Sequence, residues 1–167
     1  FLYDGTRKDP KVTVKDGDIV MEEKEYTVTW ANDDPSVTDG LLTAAGTYTA
    51  TIAQIAGKNY TFADVTVQIE IVKATQDALK ITGKPAQVYY GDIVTLDTIG
   101  GSGDGTVTWS ITKGDSIAAI DADTGVLTVN HVGDVTVKAE RVVPNYGTVS
   151  DTWSFTAKPK PVTAVVT

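Results

Sequence analysis

The sequence predicts an all-β chain made of two tandem β-sandwich domains. Hydrophobic and polar residues alternate with a period of two along several segments, as in residues 135–140, where Val, Val and Ala alternate with Thr, Lys and Glu. A strand with one buried and one solvated face requires this pattern. Turn-forming residues separate such segments, as in Asp121–Gly125. A similar order of strands and turns occurs twice, which indicates two domains.

The composition excludes several classes of function. The chain has 167 residues, with 14 Lys and Arg against 22 Asp and Glu, so its net charge is -8. This charge repels nucleic-acid phosphates and anionic lipids, and we expect no nucleic-acid partner. No apolar run approaches the ~20 residues of a membrane helix, so we expect no membrane insertion in this segment. The absence of cysteine excludes disulfides, thiolate nucleophiles and thiolate metal sites.

In the first domain, strands are expected around residues 12–15, 26–30, 46–52 and 65–71, because each segment alternates. Turns are expected at Asp16–Asp18, Asn32–Ser36 and Gly57–Tyr60. Trp30 is the expected anchor of this core. The residues expected to share the inward face are Val12, Val14, Tyr26, Val28, Trp30, Tyr48, Ala50, Ile52, Val65, Val67, Ile69 and Ile71.

In the second domain the alternation begins again. Early strands are expected near Ile81, Val88 and Val94–Leu96, and a strand with Trp109 at its centre should anchor the second core. The Gly100–Gly105 loop is a flexible connector before that strand. The inward residues expected on the later strands are Val107, Trp109, Ile111, Val135, Val137, Ala139, Trp153, Phe155 and Ala157.

The two halves share an order of landmarks. Each has a strand Trp, a Gly-led Thr/Val strand, an Asn-Tyr loop and a long final strand, so we interpret the chain as a diverged tandem repeat. The alternation lapses from Lys73 to about Ala78, where we place the boundary. The predicted domains are residues 1–74 and 78–159. Residues 160–167 form a Pro-containing linker or the start of a following domain.

The first half resembles the YDG-type bacterial immunoglobulin-like repeats, which occur in tandem on surface proteins. The segments that carry this resemblance are Tyr3–Thr6, Tyr26–Trp30, Gly46–Ala50 and Asn59–Tyr60. The second half resembles the group 2 bacterial immunoglobulin-like domains, which are related to those of intimin and invasin stalks. Its matching segments are Val107–Ser110, Ala119–Asp121, Thr124–Thr128 and Gly133–Ala139.

The resemblance implies an immunoglobulin-like β-sandwich in each half. It also implies a role as a spacer or adhesive arm in a secreted or wall-attached protein, often of a Gram-positive bacterium. The matching residues are core and turn positions, which report on the fold and say little about function.

Three motifs suggest chemistry but have simpler interpretations. Asp121–Gly125 has the opening spacing of a calcium loop, but the bidentate Glu is missing, so we interpret it as a turn. Gly100–Gly105 lacks the Gly-Lys-Ser/Thr ending of a phosphate cradle. His131 is the only histidine, and no Gly-x-Ser-x-Gly motif accompanies it. We therefore expect no metal, no cofactor and no catalytic residue.

Carboxylates could also supply the acid pair of a glycosidase, with two groups about 5–10 Å apart across a cleft. Here the carboxylates are scattered over predicted turns, and we interpret them as solvated turn residues. Examples are Asp16, Asp18, Asp33, Asp34, Asp104 and Asp115.

Tyrosines are the strongest candidates for ligand contact. Exposed aromatic rings stack on sugar rings, so Tyr89 and Tyr90 are the candidate ligand-binding residues. Tyr60 and Tyr146 recur at the same landmark in both halves, which favours corner packing within the fold.

The sequence thus predicts a monomeric, non-catalytic extracellular spacer that contributes to adhesion and joins other domains of a longer chain. The alternative is a module that binds a glycan or a host-surface protein through loops or exposed tyrosines.

Overall fold

A computed structural model of the chain describes residues 1–34, 37 and 42–165. Two compact units are present, Phe1–Ala74 and Thr75–Thr167, and each has hydrophobic clusters of its own. In the described part of the chain, regular structure is β apart from one 3₁₀ turn at Glu23–Glu25, and no helix there has the length and apolar character to cross a bilayer. The predicted fold class, all-β with two immunoglobulin-like sandwiches, is confirmed.

Five strands lie among the described residues of the first unit. They are β1 (Lys15–Asp16), β2 (Ile19–Val20), β3 (Tyr26–Asn32), β4 (Gly46–Gln54) and β5 (Val65–Ile71). Antiparallel pairing gives a three-stranded sheet in the order β3-β4-β5, with β1 and β2 forming a separate hairpin. The predicted turn at Asp16–Asp18 joins β1 to β2, and Gly17 has a φ of 58° there, a value that suits glycine.

The alternation predicted for β3 and β4 is confirmed. Tyr48, Ala50 and Ile52 are buried, while the threonines between them are only partly covered. Tyr26 is buried on the same face of the sheet, and the Thr27 side chain is exposed. β3 ends at Asn32, where the polar cluster begins. Part of the turn predicted at Asn32–Ser36 lies outside the described residues.

The burial predicted for β5 is wrong at its start. Ile71 is buried and Ile69 is partly buried, but Val65 and Val67 are 51% and 49% exposed. β5 is an edge strand, because the sheet order is β3-β4-β5. The segment around Val12 packs on the cluster over β3 and β4 instead, and an open groove remains beside the first half of β5.

Two further expectations for the first unit need correction. The strand expected around residues 12–15 is reduced to Lys15–Asp16, although Val12 and Val14 still pack against the core. Trp30 is partly buried rather than fully enclosed, and it contacts two separate clusters. One of these clusters contains the buried Tyr26 and the other contains the buried Tyr48. Trp30 therefore connects two small cores.

In the second unit, nine strands lie within the part that the structure describes, up to residue 165. They are β6 (Lys80–Thr82), β7 (Val88–Tyr89), β8 (Ile93–Thr95), β9 (Asp97–Ile99), β10 (Thr106–Lys113), β11 (Ala118–Ile120), β12 (Val126–Val129), β13 (Gly133–Val142) and β14 (Val149–Lys158). They form a four-stranded sheet in the order β10-β13-β14-β7, a three-stranded sheet β11-β12-β8, and the pair β6-β9.

The second core matches its prediction. Val135, Val137 and Ala139 are buried on the inner face of β13. Trp109 on β10 is 5% exposed and belongs to the same cluster, so it anchors this core as predicted. Trp153 packs against the cluster from β14, with its ring centroid 4.4 Å from that of Phe155. This unit encloses its apolar residues more fully than the first.

Candidate functional site

Tyr89 and Tyr90 lie where β7 ends and the chain turns towards β8. β7 pairs in parallel with the end of β14, and the Tyr90 N–H donates to the carbonyl oxygen of Lys158 at 2.9 Å. Asp92 closes the turn, because its Oδ2 atom accepts the Tyr89 N–H at 2.8 Å. The backbone that carries both rings is therefore fixed to the sheet.

The two side chains have different surroundings. The Tyr90 side chain is exposed, with 52% of the residue accessible. Tyr89 is partly buried, and its hydroxyl donates to Oε1 of Gln87 at 2.5 Å. This turn therefore offers one freely accessible ring on a rigid support. A single exposed tyrosine can stack on a ligand ring, but it does not by itself form a pocket.

The Asp121–Gly125 segment forms a tight turn between β11 and β12. Oδ1 of Asp121 accepts hydrogen bonds from the Thr124 hydroxyl at 2.7 Å, from the Thr124 N–H at 2.8 Å and from the Asp123 N–H at 3.1 Å. One carboxylate oxygen thus holds three donors of the turn. Among the residues that the structure describes, no group of three or more His, Cys, Asp or Glu side chains could hold a metal ion.

Asp121→Asn is expected to weaken the dependence of stability on acid pH. The pKa of Asp121 is lowered by hydrogen bonds from Thr124, its hydroxyl first, and from the Asp123 N–H. Such a carboxylate contributes stability above its unfolded pKa of ~3.9 and loses it as pH falls through the folded pKa. Asparagine keeps an acceptor oxygen but does not titrate. We expect the protection factors of the β12 amides, which are corrected for the pH dependence of intrinsic exchange, to fall less in the variant than in the wild type between about pH 6 and about pH 3; an equal fall would contradict this role.

The Gly100–Gly105 loop connects β9 to β10, as predicted. The Arg141 guanidinium donates from Nη2 to the Gly103 carbonyl oxygen at 2.6 Å. Oε1 of Gln76 accepts the Ser102 N–H at 3.2 Å. These bonds restrain a loop that the sequence predicts to be flexible, and they come from side chains outside the loop.

The remaining candidates lie in structural positions. His131 is exposed in the turn between β12 and β13, and its main-chain N–H donates to the Ile117 carbonyl oxygen at 3.0 Å. Tyr60 packs against the first core, as expected for a corner residue. Tyr146 is partly buried beside Gly103, where an added Cβ would lie 3.1 Å from its ring. The three residues lie in separate loops.

The sequence prediction missed an open apolar groove in the first unit. A groove of about 410 Å³ in the first unit runs between the segment of Val14 and the exposed start of β5, and Phe62, Val65 and Val67 line it. The period of two placed both valines in the core. They are half exposed because no described segment fully covers this part of the sheet face, which the sequence pattern does not report.

No protein-family model matches the chain, and no curated protein matches it. Among solved structures, the chain is similar to the C-terminal 282-residue fragment of intimin, determined in complex with the intimin-binding domain of the translocated intimin receptor. That match has 22% identity, covers 88% of this chain and 56% of the other, and has a TM-score of 0.34.

Two cadherin fragments are also similar. Mouse cadherin-23 EC22-24 has 14% identity over 97% of this chain and 62% of that one, with a TM-score of 0.41. Drosophila N-cadherin EC1-4 has 12% identity over 96% and 47%, with a TM-score of 0.40. The chain thus spans less than two thirds of the length of these solved chains. At such identities and scores, function has to be argued from the chain's own residues.

Proposed function

We propose that the chain is a non-catalytic structural module, a spacer that also contributes to adhesion, in a bacterial surface or secreted protein. The module belongs to the extracellular, cell-surface or wall-associated part of a longer protein and adjoins its other domains. In this proposal the first unit is a YDG-type repeat and the second a group 2 type domain. One observation carries the proposal. The carboxylate and amide side chains that could take part in catalysis or binding make hydrogen bonds that hold loops and turns in place.

Buried and partly buried carboxylates illustrate this use. Glu25 is 4% exposed, and it accepts hydrogen bonds from the main-chain N–H and side-chain amide of Asn59 at 3.1 and 3.3 Å. Oδ2 of Asp151 accepts the Ile81 N–H at 2.8 Å and so joins β6 to β14. A carboxylate committed to main-chain donors is poorly placed to exchange protons with a substrate. These groups therefore support a structural role.

Gln76 adds a structural contact just after the start of the second unit. Its Nε2 atom donates to the carbonyl oxygens of Gly147 at 2.7 Å and Arg141 at 3.3 Å, while its Oε1 atom accepts from Ser102. The first residues of the unit are thus tied to two of its loops. A spacer requires such attachment, because a loosely held terminus would transmit force and orientation poorly.

The outer face of the first sheet suits a module that must remain solvated. The Thr27 and Thr29 hydroxyls donate to main-chain oxygens of Ala53 and Thr51, each at 3.4 Å. With a net charge of -8, the chain favours solubility and repels copies that approach side by side. Polar outer faces of this kind keep closely spaced modules apart.

The alternative function is a ligand-binding module that recognises a glycan or a host-surface protein. The exposed Tyr90 side chain favours it, because the residue is 52% accessible and its backbone is fixed to β14 by the bond to Lys158. Rigid aromatic side chains contribute contact area at low entropic cost. Tyr89 and Tyr90 are its proposed contact residues.

A glycan and host-matrix protein array separates the two functions. We expect no reproducible binding from the wild-type chain, whose folding is checked by circular dichroism, because a spacer contributes to adhesion by holding other domains of the longer protein in place and not by binding a ligand itself. Binding that is lost in the Tyr89→Ala, Tyr90→Ala double variant would overturn the spacer proposal in favour of the alternative. Ile93→Ala is the matched control, since it removes a nearby side chain that is 71% exposed.

A further inference from the structure

β3 forms the edge of the first sheet that lies opposite β5. The Asp33 N–H donates to the Thr47 carbonyl oxygen on β4 at 2.9 Å, so the odd-numbered residues of β3 also direct their main-chain groups towards β4. Alternate residues of a strand direct these groups to opposite edges, so Tyr26, Val28 and Trp30 direct theirs away from β4. Among the described residues, no main-chain group pairs with them on that side. Unpaired strand edges of this kind accept additional strands.

The corresponding strand of the second unit, β10, has a protected edge. β10 also lies at an edge of its sheet, and it carries Trp109, the landmark that corresponds to Trp30. The Trp109 N–H donates to the Ala122 carbonyl oxygen at 2.9 Å, and the strand has a register shift between Ile111 and Lys113. Covering segments, bulges and lysines are devices that protect sheet edges from further pairing.

β3 itself has neither a charge nor an irregularity that would prevent pairing. Residues 26–32 contain no charged residue and no proline, and their pairing with β4 is continuous from Tyr26 to Asn32. Tyr, Thr, Val and Trp, which make up most of the segment, favour strands. The described structure therefore presents a long, uncharged and regular edge to an added strand.

A second groove runs beside this edge. It has a volume of about 320 Å³ and is lined by Tyr26, Val28 and Trp30 together with residues 9–12. Val28 and Trp30 are only partly buried. A strand added to β3 would pair its main chain with these residues and place alternate side chains against the groove. Recognition by strand addition uses main-chain hydrogen bonds and side-chain pockets together.

The strand is complementary to itself in the antiparallel direction. When Thr29 of two copies lie opposite each other, Val28 of each copy pairs with Trp30 of the other, and both residues direct their main-chain groups to the shared edge. A β-branched and an aromatic side chain form a favourable cross-strand pair, and the two-fold axis creates this pair twice. We propose that the chain forms a weak symmetric dimer in which β3 of one copy pairs antiparallel with β3 of a second copy.

Charge favours this register over its neighbour. The proposed register places Lys24 opposite Asp34 of the second copy, so opposite charges meet at each end of the contact. The register centred on Val28 would instead place Glu23 opposite Asp33, and like charges directly opposite each other destabilise a strand pair. The charged residues that flank β3 therefore select the register with Thr29 on the axis.

The proposed register also places two carboxylates, Glu25 and Asp33 of the second copy, opposite each other. Each has donors within its own copy. Glu25 accepts the Asn59 N–H at 3.1 Å, and Asp33 accepts the Thr49 hydroxyl at 2.8 Å and the Gln68 side-chain amide at 3.1 Å. These hydrogen bonds offset part of the repulsion between the two carboxylates.

The contact is isologous, so it closes as a dimer and does not extend further. Two seven-residue strands bury less than the ~1,200 Å² of a standard interface, so we expect a dissociation constant between about 10 µM and about 1 mM. The net charge of -8 on each copy opposes the contact, and salt screens this repulsion. Dimerisation should therefore strengthen as the salt concentration rises. This self-association goes beyond the proposed spacer function and does not depend on it.

Sedimentation equilibrium of the chain tests the proposal. The weight-average mass should rise from 17.7 kDa towards twice that value as concentration increases through the expected range. Thr29 is exposed, and Thr29→Lys and Thr29→Glu each place like charges opposite each other on the two-fold axis, so each variant alone should remain monomeric. An equimolar mixture of the two variants should form dimers at least as readily as the wild type, because opposite charges then meet on the axis.

Thr66→Lys and Thr66→Glu are the matched controls. Thr66 is exposed on β5, at the other edge of the same sheet, so these changes alter the net charge equally, and both variants should dimerise like the wild type. Circular dichroism checks that every variant is folded. A wild-type mass that stays at 17.7 kDa up to about 1 mM would overturn the proposal, as would dimers that persist in each Thr29 variant alone.

A single introduced cysteine tests the register itself. The chain has no cysteine, so a disulfide formed by Thr29→Cys has to link two copies. The two Thr29 residues would form a non-hydrogen-bonded pair with Cα atoms about 4.5 Å apart, within the range that a disulfide bridges. Thr27→Cys is the control, because Thr27 is also exposed but its two copies would lie more than ~13 Å apart along the strands.

In a buffer of reduced and oxidised glutathione, Thr29→Cys should accumulate covalent dimers at a lower protein concentration than Thr27→Cys does. This result does not require a charge at the interface, so it is independent of the Thr29→Lys and Thr29→Glu variants. Equal cross-linking of the two cysteine variants would overturn the proposed pairing of β3 with β3.

Discussion

Trp109→Ala is expected to destabilise the second unit by about 3–5 kcal/mol, as large-to-small changes at fully buried aromatic residues do. Trp109 is 5% exposed, and its ring packs so closely on Gly125 that an added Cβ there would lie 2.8 Å away. Alanine would leave a cavity that a rigid pair of sheets cannot close. The free energy of unfolding of a domain is only about 5–15 kcal/mol, so the variant would lose a large part of the stability of the second unit.

Native-state amide exchange measures this effect unit by unit. Protection in β13, which pairs with the Trp109 strand, should fall by two or more orders of magnitude, about 1.4 kcal/mol for each factor of ten. Protection in β4 of the first unit should be unchanged. Trp153→Ala is the matched control, because Trp153 is only partly buried and should cost less. Similar losses in the two variants would contradict the assignment of Trp109 as the anchor.

Gly100→Ala is expected to destabilise the second unit by about 2–5 kcal/mol, because backbone strain adds to a collision. Gly100 has a φ of 87°, and a Cβ at this position would lie 2.1 Å from the carbonyl oxygen of Ala78. Backbone atoms cannot move aside as a flexible side chain does. The neighbouring Leu79 is part of the buried core, so the displacement would reach the start of the domain.

Gly91→Ala separates the two causes. Gly91 has a φ of 82°, but no atom lies within 4 Å of the position that its Cβ would take. This variant therefore has the backbone strain without the collision, and we expect a cost of about 1–2 kcal/mol. Urea unfolding followed by circular dichroism compares the variants. A cost for Gly100→Ala no greater than that of Gly91→Ala would show that the contact with Ala78 relaxes freely.

The strands could be predicted because burial in a two-layer β fold follows the period of two. The prediction succeeded at Val135, Val137 and Ala139. These residues lie on β13, an inner strand of the four-stranded sheet of the second unit, with a neighbouring strand on each side. It failed at Val65 and Val67, which have the same pattern but lie on an edge strand. Alternation specifies which side chains share a face. It does not specify whether another layer covers that face.

The candidate site also has features that the sequence predicted and features that only the structure shows. The sequence identified the turn residues at Asp121–Gly125, because Asp, Thr and Gly have local conformational preferences. It could not distinguish Tyr89 from Tyr90, whose exposure depends on Gln87 and on the parallel pairing with β14. The contacts of Gln76 with Arg141 and Gly147 span more than sixty residues of sequence, and no local pattern signals them.

The sequence alone determined the all-β class, the alternation of the central strands and the position of the second core around Trp109. These features follow from local propensity and from the burial of alternate apolar side chains. Only the tertiary structure decided that Trp30 contacts two clusters, that Tyr90 is exposed while Tyr89 is partly buried, and that Val65 and Val67 are about half exposed. Each of these depends on which strand lies next to another, and strand neighbours are chosen by long-range packing rather than by the residues of one segment.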